Sequence, residues 1–307
     1  MAERFNEAPE NVQEIPKAER SEIEAGAQEK YDSIEEALGK ESPTGIEPPI
    51  VHFDGDDGEG RTSDGGWKPN ETYKVDGIEY KTDDNGSIYM IDGELCPDET
   101  YVLNGNEYTT DSEGRITSCN GKPYEDSEND RDLDAQKKAG GEDRKEGDQG
   151  GHIISRDLGG DSGAGNIVSM DGRINQSDYK RMENDIKRAI DSGEEVHVSA
   201  ELKYSEGSKR PDEIVVTVTC GDKKTVYRFD NNRDGSLNEA AKEKLSEDGK
   251  ECLDKYIGNG GTVTSVKEEY DSNGNPEKTT VTVTYEDENG KTYSKSIIDE
   301  RTNGGEQ

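Results

Sequence analysis

The chain has 307 residues, of which 27% are apolar and 36% are charged, and its formal net charge is −34. This length leaves room for one to three domains, but so low an apolar fraction excludes a single core that runs through all of them. The longest apolar runs are only a few residues, which excludes a membrane-spanning helix. We therefore expect one compact domain with weakly cored or flexible appendages.

The N-terminus and the cysteines indicate a compartment. The first residues are acidic and polar and lack the apolar stretch of a secretory signal peptide. We expect a cytoplasmic protein, or one secreted by a route that is independent of a signal peptide, with no membrane partner. Cys96, Cys119, Cys220 and Cys252 form no CxxC pair, so the sequence predicts no zinc site; it favours isolated thiols and leaves one or two disulfides open.

The acidic charge is unevenly distributed. A net charge of −34 argues at first against a nucleic-acid partner, because proteins that bind polyanions are usually basic. Residues 131–233, however, contain 18 Lys and Arg against 21 Asp and Glu, a net charge of −3, and the other 204 residues hold −31. A nearly neutral segment can still gather its basic side chains on one face.

Residues 1–66 form a predicted acidic tail and linker. A sparse apolar stripe predicts a helix over 21–38. Residues 42–66 contain three prolines, many glycines and an Asp/Gly run, which is typical of a flexible linker. The Asp/Gly run lacks the ligand spacing of a calcium-binding EF-hand loop.

Residues 67–105 belong to a predicted β-hairpin repeat with a period of 28 residues, whose two copies are 68–95 and 96–123. Each copy contains an Asp-Gly or Asn-Gly turn, a strand with a tyrosine, a second glycine turn and another strand. Two interpretations stay open with comparable weight. The repeat is either a spacer or binding module, or a duplicated entry hairpin of the domain that follows.

Residues 106–235 contain the strongest periodic patterns. An amphipathic helix is predicted over 177–190, with Ser177 as its N-cap and Gly193 at its end. Alternating strands follow over 196–204, 214–220 and 225–229. Residues 236–307 are predicted to form an accessory antiparallel β-meander and a tail, with strands over 261–267, 279–285 and 292–298.

The chemistry-bearing residues lie in one window, 148–183, which contains His152 after two glycines and then Asn166, Asn175 and Glu183. Hydrolysis of a phosphodiester needs a base, a divalent cation and positive charge for the transition state. A neutral imidazole suits the base, and Mg²⁺ accepts an amide oxygen among its oxygen ligands. Asn175 and Glu183 are eight residues apart, a little over two helical turns, which brings them to roughly one side of a helix.

The stretch from about 108 to 232 resembles the DNA/RNA non-specific endonuclease family, and it is most similar to the branch found in bacterial polymorphic toxins and in nuclease toxins associated with type VII secretion. The matching pieces are Tyr108–Ile116, Ala135–Arg144, Gly150–Ile154, Asn166–Val168, Asn175, Tyr179–Glu183, Val196–Val198 and Ser208–Pro211. The resemblance implies an α+β fold, with a ββα-metal nuclease core on an antiparallel sheet. It also implies non-specific endonuclease activity on DNA and RNA.

By the same resemblance, His152 is the general base, Asn175 binds Mg²⁺ (or Mn²⁺) directly, Asn166 supports the site and Glu183 orients metal-bound water. One departure concerns the arginine: the wider family has Asp-Arg-Gly-His, whereas this chain has Gln149-Gly150-Gly151-His152. Arg144 is our first choice for the cation that stabilises the pentacovalent phosphate, and Arg156 is the second. The toxin-like branch itself tolerates Gly-Gly-His.

The remaining histidines and one basic pair receive simpler interpretations. His197 falls on the outward face of an alternating strand and His52 falls in the linker. Lys209-Arg210 is interpreted as a surface pair without function, although it could contact phosphates.

Two alternatives to an active nuclease are weighed. In the first, the protein is a non-enzymatic secreted or surface binding module with an inert nuclease fold. In the second, ranked last, it is an acidic mimic of nucleic acid that binds a basic protein. The expected partners of the nuclease are a DNA or RNA substrate and, as a candidate, an immunity protein, and the sequence contains no signal for an oligomeric state.

Overall fold

A computed structural model of the chain describes residues 12–13, 67–75, 77–126 and 131–301. The predicted helix over 21–38, the linker over 42–66 and His52 lie outside the described residues. The chain divides into two compact units, residues 1–103 with 109–115 and residues 104–108 with 116–307. Strands predominate in both units, and the fold is a mixed α+β arrangement with antiparallel sheets.

The first unit contains a five-stranded sheet in the order β1-β2-β3-β4-β5, together with a further strand, β6. Among the pairings of the described strands in this sheet, only β1–β2 is parallel. The strands are β1 (Val12–Gln13), β2 (Thr72–Val75), β3 (Ile78–Thr82), β4 (Ile88–Ile91), β5 (Glu94–Leu95) and β6 (Thr100–Leu103).

A two-stranded ribbon and a helix follow the first strands of the second unit. Strand β7 (Asn106–Thr110) begins in this unit, and β8 (Ile116–Gly121) follows it. After α1 come the two antiparallel strands of the ribbon, and the helical segment starts directly after the second of them. These elements are α1 (Leu133–Lys138), β9 (Asp148–His152), β10 (Ile167–Asp171), α2 (Gly172–Ile174), a π-helical turn (Asn175–Tyr179) and α3 (Lys180–Asp191).

The rest of the second unit extends one large sheet. Its strands lie in the order β16-β15-β14-β13-β12-β11-β8-β7. The elements are β11 (Val196–Lys203), β12 (Glu213–Cys220), β13 (Lys223–Asp230), α4 (Asn238–Glu243), α5 (Glu247–Ile257), β14 (Thr262–Tyr270), β15 (Pro276–Glu286) and β16 (Thr292–Glu300).

The strands predicted from alternation all form, with ends shifted by a few residues. Along β11, buried residues alternate with less buried ones, because every second side chain of a strand faces the core. Strands β14, β15 and β16 continue the sheet beyond β13. The domain boundaries at 66, 105 and 235 stay predictions.

The repeat is visible in three dimensions. Strands β2, β3 and β4 begin 28 residues before β6, β7 and β8 respectively. Asp83 and Asp111 close equivalent turns, because each carboxylate accepts the backbone N–H groups two and four residues later. The second copy ends in β8, which pairs with β11. That pairing favours the interpretation of this copy as an entry hairpin of the larger sheet.

The continuous helical segment from Gly172 to Asp191, which we name the site helix, starts earlier than predicted. The helical segment begins at Gly172, with the carboxylate of Asp171 accepting the N–H groups of Arg173 and Ile174. Ser177 is therefore not the N-cap; its hydroxyl donates to the carbonyl of Arg173 within the π turn. The predicted end is confirmed, since Gly193 follows the helix with a φ of 81° and donates to the carbonyl of Ile190.

Candidate active site

A cleft of about 630 Å³ lies between α1, the ribbon and the start of the site helix. Of the described residues that line it, five are Lys or Arg and two are Asp or Glu. The cleft is therefore locally cationic in a chain with a net charge of −34. Its lining residues are Arg131, Leu133, Gln136, Lys137, Arg144, Gln149, Gly150, His152, Ser155, Arg156, Asp157, Asn175, Gln176, Lys180 and Glu183.

His152 is the last residue of β9 and is partly buried in the wall of this cleft. Its imidazole hydrogen-bonds the backbone of Ser162, whereas its buried Nε2 atom has no hydrogen-bond partner among the described residues. The bond to Ser162 must therefore involve Nδ1. With Nδ1–H donating, Nε2 has a free lone pair and can accept a proton.

The surroundings keep this imidazole neutral. Burial, followed by the positive charge of Arg156, lowers the pKa of His152 below 6.5, and the charge of Arg131 acts in the same direction. The hydrogen bond to Ser162 and the charge of Asp157 oppose the shift. At neutral pH the side chain is thus in the form that a general base requires.

Asn175 lies at the start of the π turn and lines the same cleft. Its amide Nδ2 donates to Oε1 of Gln149 at 2.9 Å. Because this bond fixes the orientation of the amide, the Oδ1 atom is held as the remaining acceptor. No role was predicted for Gln149, which precedes the Gly-Gly-His stretch.

Glu183 lies in the first turn of α3, also in the cleft, and Lys180 contacts its Oε2 at 2.7 Å. A regular α-helix turns by about 100° per residue, which would leave positions 175 and 183 about 80° apart around the axis. The π turn adds one residue to a turn and reduces this difference to roughly 20°. The structure thus places both side chains on one side of the helical segment.

Asn166 does not line the cleft. It is fully buried, its Oδ1 accepts the N–H of Ile154 at 3.0 Å, and its Nδ2 donates to the carbonyls of Ile154 and Asp161 at 2.8 and 2.7 Å. These bonds shape the loop that follows His152. Its predicted supporting role stays a prediction, and any such role would be exerted through the backbone.

Arg144 lines the cleft, but its guanidinium donates hydrogen bonds to backbone carbonyls. Its Nη1 donates to the carbonyls of Gln136, Lys137 and Ala139, and its Nη2 donates to the carbonyl of Asp148. The guanidinium therefore joins the end of α1 to the start of β9. Arg156, the second choice, also lines the cleft and donates to Asp157.

The two glycines before His152 allow close packing within the protein. A Cβ at Gly150 would lie 2.4 Å from Cα and 2.6 Å from the carbonyl oxygen of Gln136 in α1. The nearest atoms to a Cβ at Gly151 would be Cε, Cβ and Sδ of Met170, at 2.9, 3.0 and 3.2 Å, and none of them is backbone. Position 150 cannot accept a larger residue while α1 crosses it.

Among the residues with described positions, no group of three or more His, Cys, Asp or Glu side chains is placed to hold a metal ion. A hard cation does not need such a group, because Mg²⁺ keeps several waters and is often bound by one or two protein oxygens together with substrate phosphate. The oriented Oδ1 of Asn175 fits that requirement.

Two further predictions concern other side chains. His197 is exposed on β11 beside Glu195, as the alternation predicted. The interpretation of Lys209-Arg210 as a surface pair is wrong for Arg210, whose side chain is 3% exposed and forms an ion pair with Asp148. No helix in the described part of the chain is long and apolar enough to cross a membrane.

The similarity to known proteins lies in the segment that contains the cleft. Residues 97–221 match the model of the DNA/RNA non-specific endonuclease family, which confirms the resemblance drawn from the sequence over about two-fifths of the chain.

Two relatives are similar to this chain over 106 and 85 residues. The type VII secretion system protein EssD of Staphylococcus aureus (strain USA300) is 33% identical over 106 residues, which cover 33% of this chain and 17% of EssD. The probable deoxyribonuclease RhsA of Dickeya dadantii (strain 3937) is 34% identical over 85 residues, 28% of this chain and 6% of RhsA. The chain thus spans less than a fifth of the length of these curated relatives.

Proposed function

We propose that this protein is a non-specific endonuclease that hydrolyses phosphodiester bonds of DNA and RNA, and that β9, β10 and the site helix are its ββα-metal core. The observation that supports this most directly is the buried, unpartnered Nε2 of His152 in a cationic cleft that also contains the oriented amide of Asn175. Three requirements of the reaction thus meet in one place: a base, an oxygen ligand and positive charge.

In the proposed mechanism, Nε2 of His152 takes a proton from the attacking water, while Nδ1 stays bonded to Ser162. The water oxygen bonds to phosphorus, the P–O bond to the leaving sugar oxygen breaks, and that oxygen takes a proton from solvent water. Asn175 would hold Mg²⁺ or Mn²⁺ through Oδ1, and the cation supplies positive charge at the scissile phosphate when it is bound. Glu183 accepts hydrogen bonds from water molecules around that position. Arg144 donates hydrogen bonds to four backbone carbonyls. We therefore assign stabilisation of the negative charge in the transition state to Arg144 jointly with Arg156 and the other cationic side chains of the cleft.

The relatives support a biological setting. One is a type VII secretion system protein and the other a probable deoxyribonuclease. We propose that the chain acts as a secreted bacterial toxin-type nuclease that is paired with an immunity protein.

The test is digestion of plasmid DNA and of RNA with Mg²⁺ or Mn²⁺, with and without EDTA, using His152→Ala and the matched control His197→Ala. Loss of the base should lower the rate by about 100-fold or more, whereas the exposed His197 should be dispensable. The base acts in its neutral form, so activity should be present above its pKa and lost as pH falls through it. Because that pKa is lowered, the acid limb should lie below 6.5.

Full activity of His152→Ala would refute the assignment of the base. No digestion with any divalent cation would favour the non-enzymatic binding module instead.

A further inference from the structure

The open end of the ribbon has two carboxylates directly opposite each other. Asp148, the first residue of β9, is the cross-strand partner of Asp171, the last residue of β10. Like charges at directly opposed positions destabilise an antiparallel pair. An isolated two-stranded ribbon is at best marginally stable in water. These five-residue strands therefore need interactions from outside the ribbon to hold them.

Arg210 neutralises the first carboxylate. Its Nε and Nη2 atoms donate to the two oxygens of Asp148 at 2.6 and 3.0 Å, and the two side chains are only 3% and 1% exposed. The hydroxyl of Ser169 and the N–H of Lys145 also donate to Oδ2 of Asp148. A planar guanidinium fork fixes the direction of its partner as well as its charge.

Arg233 neutralises the second carboxylate. Its Nε donates to Oδ2 of Asp171 at 2.9 Å, while Oδ1 of the same side chain caps the site helix. Asp171 thus connects the loop after β13 to the first turn of the segment that contains Asn175.

Asn231 lies between the two arginines and is fully buried. Its Oδ1 accepts the N–H of Asp171 at 2.8 Å, and its Nδ2 donates to the carbonyls of Ser169 and Pro211 at 3.0 and 2.6 Å. One amide therefore bonds the free edge of β10 as a neighbouring strand would. Arg210 reaches the same loop through the carbonyl of Asn231 and Oδ1 of Asn232.

We propose that Arg210 and Arg233 are positioning residues of the nuclease site, a role that rests on the function proposed above. Together with Asn231 they fix the open end of the ribbon against the loop after β13. His152 lies four residues along β9 from Asp148, and Asn175 lies four residues after Asp171. The two ion pairs therefore set the positions of the base and of the oxygen ligand relative to each other. The Asp148–Arg210 pair is buried, and a buried ion pair is weak evidence for net stability, so we assign this pair to geometry.

The test compares Arg233→Gln with Arg228→Gln in the full chain. Arg228 forms a 3.1 Å ion pair with Glu213 in the same sheet and is similarly exposed, but it does not contact the ribbon. Arg233→Gln should lower kcat and raise the Mn²⁺ concentration at half-maximal activity by about 10-fold, the lower end of the range for groups that orient a metal ligand, because Arg233 acts on Asn175 only through Asp171. KM for DNA should change less than about twofold, because the cationic lining of the cleft is intact. Arg228→Gln should match the unmodified protein in all three values.

Arg210 needs a milder change, because its removal would leave a buried carboxylate unpaired. Arg210→Lys keeps the charge and loses the fork, and it should show the same kcat and Mn²⁺ effects with cooperative unfolding intact.

A second measurement is independent of activity. The chain has three histidines, so imidazole NMR signals can be assigned with His152→Ala and His197→Ala. Arg233→Gln and Arg210→Lys should shift or broaden the His152 signals and leave those of His197 in place. Unchanged His152 signals in both variants would overturn the positioning role. Absence of digestion by the unmodified protein would instead refute the proposed function, and the NMR result would still decide on the positioning.

Discussion

The C-terminal part of the large sheet and the ribbon at the candidate site are stabilised by opposite kinds of interaction. Helices α4 and α5 pack with β14, β15 and β16 around an apolar cluster. Its members are Leu237, Ala241, Leu245, Leu253, Val263, Val266, Val281, Val283 and Ile297. The open end of the ribbon instead buries Asp148, Asp171, Arg210 and Asn231, joined by directional hydrogen bonds.

This difference separates a region whose side-chain positions are fixed by directional hydrogen bonds from a region that is stabilised by apolar burial alone. Burial of apolar area is non-directional, so the C-terminal cluster stabilises the sheet without specifying side-chain directions closely. A buried polar network holds particular atoms in particular places, but it is costly when any partner is missing. The polar network is found next to the residues that we assign to the chemistry.

The largest contrast should come from near-isosteric substitutions in the two regions. Asn231→Leu leaves the N–H of Asp171 and the carbonyl of Ser169 unpaired, each at a cost of about 1–3 kcal/mol. Leu253→Met conserves volume in the apolar cluster and should cost less than about 1.5 kcal/mol. Urea unfolding of both variants measures the difference. Equal losses of unfolding free energy would show that the network has no special cost.

A smaller effect is expected at the glycines. Gly150→Ala places a Cβ against the backbone of α1, which must move, whereas the nearest atoms to the Cβ of Gly151→Ala belong to the side chain of Met170, at 2.9 to 3.2 Å. Overpacking of the first kind costs about 1–3 kcal/mol, and it should also lower nuclease activity because α1 forms one wall of the cleft. Gly150→Ala should therefore lower the activity and the urea midpoint more than Gly151→Ala does. The reverse result would contradict the close approach of α1 to β9.

The smallest expected effect is the change in the stability contribution of Asp148 at low pH. Burial alone would raise the pKa of Asp148, but the hydrogen bond from Arg210 and further bonds from Lys145 and Ser169 outweigh it and hold the pKa below 3.8. Its contribution to stability is therefore present above 3.8 and is lost as pH falls through the folded-state value. The unfolding free energy of Asp148→Asn should thus approach that of the unmodified protein as pH falls below 3.8.

Asp230 provides a control of opposite sign. Burial, followed by the charge of Asp234, raises the pKa of Asp230 above its usual value of 3.8. Its ionised form therefore opposes folding, and the contribution of this group should improve as pH falls through the raised value. The stability difference for Asp230→Asn should change with pH in the direction opposite to that for Asp148→Asn. Parallel curves would contradict the assigned shifts.

The sheet could be predicted from the sequence because its signal is local. Alternation in β11, β12 and β13 follows from one face that meets the core, and the paired hairpins follow from their turn residues. The same local logic was available for α4 and α5. Leu237, Ala241 and Leu245 recur every four residues and Ser246 caps the next helix, yet no helix was predicted there.

The arrangement around the site could be predicted only in part. His152, Asn175 and Glu183 share one window of sequence, and the structure brings all three to one cleft. Gln149, Arg210 and Asn231 were missed because their roles depend on partners 20 to 62 residues away in the chain. A basic pair such as Lys209-Arg210 gives no sign of burial until the carboxylate that it meets is known.

The π turn in the site helix has a consequence for how such sequences are compared. In effect it is a one-residue insertion that the helix absorbs within a single turn, between Asn175 and Tyr179. The residues on either side keep the faces that they would have in a regular helix one residue shorter. The eight-residue spacing between Asn175 and Glu183 therefore works as a seven-residue spacing in three dimensions. A relative that lacks one residue here would present the same two side chains to its substrate, so an alignment gap inside this helix is compatible with an intact site.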